Sequence, residues 1–290
     1  MTSPLLAFLV KLPLALAVFL LVAYVGTVSK RVAGVLLTFP ILNGIAIIAS
    51  DDPVRVADAI HPLVIFNCVL FAIVISFARS LPPLDALPRR GRLLARVIVW
   101  AIAWFAGAYL LTDVREHIFG ATILFAGSLI VALVVMRLCW SGGSPAQDED
   151  ASRVMHGRAF IAFWINGTGA WRIALFALAY GCLFFVSRAA FDEKWVGMAS
   201  ALPLPGFFAL AVLIDDTDSV QVLPMRDTVF LGPLLVIPFN WAFSHLLVTA
   251  LPPDQVALRY VLLFAMWILA AFAVLRLVPR LAARFDRRET

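Results

Sequence analysis

Charge is the scarcest property of this sequence. Only 14% of its 290 residues are Asp, Glu, Lys or Arg, against about 25% in a soluble globular domain. Cysteine is nearly absent as well. Cys68, Cys139 and Cys182 are scattered in or at the edges of apolar runs, which excludes a disulfide framework and zinc-ligand spacing. There is no HExxH, no G-x-S-x-G, no phosphate loop and no CxxC, so no enzyme chemistry is nominated and no cofactor or metal is expected. The NGTG of Asn166–Gly169 is too short for a dinucleotide loop. Carboxylates are missing from the middle of every apolar run. Asp51, Asp52, Asp215, Asp216 and Asp227 all fall at run ends, which argues against a proton-coupled cation exporter, since that chemistry uses a buried acid.

What is abundant is apolar surface: 63% of residues are hydrophobic and the mean hydropathy is +0.97. This composition predicts an all-α polytopic membrane protein. A membrane helix needs roughly 20 mostly apolar residues. About nine such transmembrane helices are expected, near 5–28, 32–50, 61–78, 94–112, 118–138, 170–187, 195–214, 228–249 and 257–278. The first, Leu5–Val28, carries Lys11 but no basic start and no small-residue cleavage site, so it reads as a retained span. Residues 141–158 form a polar linker, and the AFIAFWING that follows reads as an interfacial helix. The net charge of +5 does not indicate nucleic acid, because the basic residues lie between and after apolar runs and make no soluble basic domain.

Those basic residues set an orientation. Arg79, Arg89, Arg90, Arg92 and Arg96 follow span 3, and Arg276, Arg280, Arg284, Arg287 and Arg288 end the chain. An odd number of spans between an outer N-terminus and an inner C-terminus places 17 of the 23 basic residues inside and six outside.

A repeat is hidden under the leucines. A shift of 163 residues lays Gly34 on Gly197, Pro40 on Pro203, Arg31 on Lys194, Arg96 on Arg259 and Trp104 on Trp267. The predicted organisation is therefore 4 + 1 + 4. Residues 1–115 form one four-span unit, 116–140 a connecting span, 141–169 the linker and interfacial helix, and 170–290 the second unit with its basic tail. A single connecting span makes the second unit enter from the opposite face, which is an inverted-topology repeat of the kind found in secondary transporters.

Spans 2 and 7 are broken at matching places, by TFPILNG (38–44) and SALPLPG (200–206). Matched Gly/Pro interruptions point to a midplane site. The expected substrate-binding residues are Thr38, Pro40, Asn43, Asn67, Ser200, Pro203, Pro205 and Asn240. For each asparagine an interhelical hydrogen bond is the competing reading. His61 and His245 read as interfacial anchors, and Lys11 and Arg172 as side chains that snorkel to the interface.

The first unit also resembles the GlpM family of four-span bacterial inner-membrane proteins. The likeness lies in Ser29-Lys30-Arg31 leading into Ala33-Gly34 and on to Phe39-Pro40. In the second unit Leu202 replaces the phenylalanine and Glu193-Lys194 the basic pair. The resemblance implies a multi-pass protein of the bacterial inner membrane that serves envelope polysaccharide (alginate-like) assembly, and implies no particular substrate.

Together these features predict a secondary transporter or flippase for a small neutral or amphipathic, including lipid-linked, substrate. The alternative is a non-transporting accessory subunit of an envelope polysaccharide system. The expected partners are membrane lipids and the substrate, with a homodimer left open.

The charge split predicts a periplasmic N-terminus and a cytoplasmic C-terminus. In a cysteine-free background, an impermeant thiol reagent added to intact spheroplasts should label Thr2→Cys and not Arg284→Cys. The reverse pattern overturns the orientation.

Overall fold

Backbone N–H and C=O groups inside apolar segments need partners, and a helix pairs them within the segment itself. In the computed structural model the described residues are helical, with no strand among them. The structure describes residues 4–37, 48, 53–76, 87–118, 130, 134, 157–166, 169–190, 202–216, 222–229, 231–252 and 255–286. The elements are α1 (Pro4–Val28), α2 (Lys30–Leu36), α3 (Pro53–Ser76), α4 (Arg89–Ile118), α5 (Gly157–Asn166), α6 (Ala170–Ala190), α7 (Leu204–Asp216), α8 (Leu223–Val229), α9 (Leu231–Ala242) and α10 (Val256–Asp286). A π-helical segment, Phe243–Val248, continues α9. Among the described residues two stretches are long and apolar enough to cross a membrane. They are Lys11–Val28, with mean hydropathy 2.0, and Arg89–Tyr109, with 1.4. The apolar stretches Phe66–Ser76, Ala170–Phe185 and Ala257–Ala270 are shorter. Of the expected connecting span and linker, 119–129, 131–133 and 135–156 lie outside the described residues.

One residue separates α1 from α2. Ser29 is extended (φ −148°, ψ 113°), and its Oγ accepts a hydrogen bond from the Val32 N–H at 3.4 Å. The serine therefore caps α2 and satisfies one of the donors that a helix start leaves over.

Two short helices occupy the centre. In α2 every residue from Arg31 to Leu36 is buried. In α7 every residue from Leu204 to Ile214 is buried, as befits a helix that is apolar all round. α7 packs against α1, α4 and α6, while α2 packs against α1, α8 and α10. Around Phe19 of α1 an aromatic cluster joins four helices: its ring meets Trp164 of α5 at 5.2 Å, Phe176 of α6 at 5.1 Å and Phe208 of α7 at 6.1 Å.

Pro203 stands immediately before α7, and Pro205 lies in its first turn. A missing N–H removes no helical bond there. The first helical bond runs from the Phe207 N–H to the Pro203 carbonyl at 2.9 Å. Pro203 thus accepts the first bond of the described helix; residues 195–201, the earlier part of the expected seventh span, lie outside the described ones.

α2 lies close against α8. A Cβ at Gly34 would collide with the Met225 carbonyl oxygen and with Thr228 Oγ1. The buried Thr228 hydroxyl donates to the Arg31 carbonyl at 2.6 Å across the same contact. Gly34→Val should force the two backbones apart and cost about 1–3 kcal/mol, as overpacking does. Denaturant unfolding of the purified protein measures this, and a variant as stable as the wild type contradicts the contact.

Candidate functional site

The carboxyl end of α7 is tied to the beginnings of two other helices. Asp215 and Asp216 are its last residues. The Asp215 side chain is 0% exposed, a costly place for a charge unless several donors meet it. From α4, Arg92 donates to Asp215 Oδ1 through Nε at 3.0 Å and Nη2 at 2.8 Å. Arg89 donates to both aspartates, and Arg96 Nη1 lies 4.0 Å from Asp215 Oδ1. From α6, Arg172 forms a two-pronged pair with Asp216, at 2.5 and 2.6 Å, the geometry that planar guanidinium and carboxylate favour.

Arg172 is 1% exposed and is walled by rings. Its guanidinium carbon lies 5.7 Å from the centroids of Phe163 and Trp164 and 5.6 Å from that of Trp171. It does not snorkel outward, as its place early in an apolar run suggested. It turns inward because a desolvated cation beside aromatic faces and a carboxylate is better compensated than one in an apolar wall.

The second feature is the junction of the two central helices. A Cβ at Gly206 would lie 2.9 Å from the Leu37 carbonyl oxygen and 2.8 Å from the Phe71 ring. The chain leaving α2 therefore touches the first turn of α7, and only glycine leaves room for it. Phe71 and Phe207 close the junction, with ring centroids 5.2 Å apart.

The expected site residues divide unevenly. Thr38, Pro40, Asn43 and Ser200 lie outside the described residues. Pro203 and Pro205 flank the start of α7, at the junction. Asn67 is buried one turn before Phe71, and its Oδ1 accepts a hydrogen bond from the Trp104 indole N–H. That oxygen thus bridges α3 to α4. Asn240 lies in α9, with its side chain outside those described. His245 sits in the π-helical segment, where its ring stacks on Trp241 at 5.2 Å and its Nδ1 is 3.0 Å from Ser244 Oγ. No group of three His, Cys, Asp or Glu side chains among the described residues could hold a metal.

Reading the apolar runs one at a time did not bring out the arginine–aspartate cluster. Its signal was two adjacent acids ending one run on the face where the arginine loops were expected.

No family model, no curated protein and no solved structure matches this chain.

Asp215→Asn leaves the guanidiniums of Arg89 and Arg92 facing a neutral group. Both arginines are partly exposed, so the loss is that of charge-assisted hydrogen bonds, about 1–3 kcal/mol, and the variant should unfold at lower denaturant. Asp216→Asn should cost more, about 3–5 kcal/mol, since it strands the guanidinium of Arg172, which is 1% exposed. The opposite ranking contradicts the cluster's geometry.

Proposed function

We propose that this chain is a multi-pass bacterial inner-membrane protein of about nine spans in a 4 + 1 + 4 inverted repeat. It acts as a secondary transporter or flippase for a small neutral or amphipathic substrate, with its site between broken spans 2 and 7. The observation that carries the reading is the junction: the end of α2 meets the start of α7 at Leu37 and Gly206, the ends of two apolar segments broken at positions 163 residues apart. At 13 residues α7 is about 20 Å long, against a hydrocarbon core of about 30 Å. With Asp215 and Asp216 at one membrane face, Leu204 lies within the core. A helix end there leaves backbone donors that only protein, water or a substrate can meet.

Two further observations support the arrangement. Shifted by 163, α1 overlies α6 and α4 overlies α10, and the paired arginines Arg96 and Arg259 are both buried. The clustered Arg89, Arg92, Arg96, Arg172, Asp215 and Asp216 are also the groups that the orientation assigns to one face.

The test is reconstitution into liposomes that carry a fluorescent phospholipid, with dithionite added outside. Wild-type protein should let quenching proceed beyond the outer leaflet. Gly206→Val and Pro203→Ala should slow it severalfold while the protein still reconstitutes. Quenching that stops at the outer leaflet with wild-type protein overturns the flippase reading. Variants as fast as wild type remove the site from the junction.

A further inference from the structure

The arginine cluster has an outward side that the pairing of α7 does not use. Among the described residues, Arg89, Arg92, Arg96 and Arg172 stand against Asp215 and Asp216, four cations to two anions, with Arg90 beside them as a fifth cation. Arg89 is 53% exposed even while it holds both aspartates. Arg90 is exposed and rests over the Trp171 ring, 5.5 Å from its centroid. Such a cation is held in place without being neutralised, because the ring supplies a face and no charge.

The surface beyond it is apolar. Arg90, Leu94, Ile98 and Ile102 recur at four-residue spacing on α4 and so follow one face of the helix. Ile98, Val99 and Ile102 are exposed. Ile102 lies about 18 Å along the axis from Arg90. A soluble anion has use for the cations but none for this row. A molecule with a phosphate at one end and hydrocarbon at the other matches both.

We propose that Arg89, Arg90 and Trp171 bind the phosphate headgroup of an anionic phospholipid, whose acyl chains lie along the exposed row of α4. The inference rests on the membrane-spanning part of the reading above and not on transport. Guanidinium meets phosphate oxygens by paired, charge-assisted hydrogen bonds, and the indole belongs at the depth of the headgroup.

Native mass spectrometry of the protein in neutral detergent, titrated with phosphatidylglycerol or phosphatidylcholine, tests this. Phosphatidylglycerol should be retained more tightly. Arg90→Gln should weaken it about fivefold, the effect of one arginine near an anionic surface, with phosphatidylcholine unchanged. Trp171→Leu, which removes the ring beneath Arg90, is the second variant and should act in the same direction. Equal retention of the two lipids, retention unaffected by either substitution, or displacement by millimolar inorganic phosphate overturns the proposal. Release of the chain from membranes by alkaline carbonate is a separate result. It would overturn the membrane reading itself.

Discussion

The position of α7 depends on the two carboxylates that end it. Between Leu204 and Ile214 the helix carries no polar side chain, and apolar burial is non-directional. Contacts along its length resist its removal but do little to set how far it slides or how it turns. The pairs at Asp215 and Asp216 are directional, and they reach two different helices. They fix the depth of α7, and with it the place where Gly206 meets Leu37. A buried ion pair is weak evidence of net stability. Here its use is alignment, as one end of an otherwise featureless rod is held at a set height.

The all-helical character was legible in the length of the apolar runs; of the nine expected spans, two stretches among the described residues are long and apolar enough to cross a membrane. Several helix ends were legible too. Ser29 beside a basic pair marked the α1–α2 break, and its hydroxyl is the cap of α2. The proline at 203 marked an interruption. Pro203 stands immediately before α7, where a residue without an N–H removes no helical bond, and residues 191–201 lie outside the described ones. Pairings over long sequence separation were not legible. Nothing local to Arg92 names Asp215, 123 residues away, and nothing local to Arg172 tells an inward cation from an outward one. Asn67 was ambiguous for a related reason. An amide in an apolar helix needs a partner, and only the approach of Trp104 identifies it. Thr38, Pro40, Asn43 and Ser200, half of the expected site, fall outside the described residues.

Glycine acts at the centre of this molecule by what it leaves out. Gly34 lets α2 lie against the backbone of α8, and Gly206 lets the chain leaving α2 touch α7. Both are contacts of backbone with backbone or near it, where a methyl group is already too large. The two short helices can share one interior because their side chains are removed at the points of closest approach. Phe71, Phe207 and Phe208 supply the volume around them.

The π-helical segment has a consequence for the chain beyond it. Buried positions Phe239, Phe243 and Val248 are spaced by four and then by five, where an α-helix would keep three or four. The wider turn holds one surplus residue. Tightening it to α geometry would rotate everything downstream by about 100°. The carbonyls of Val248 and Leu251, which receive Arg259 at 3.0 and 2.8 Å, would turn together with it, and α10 would lose its packing against α2. The segment works as a phase adjuster, and losing a single residue there would turn the face of α10 that meets α2 away from it.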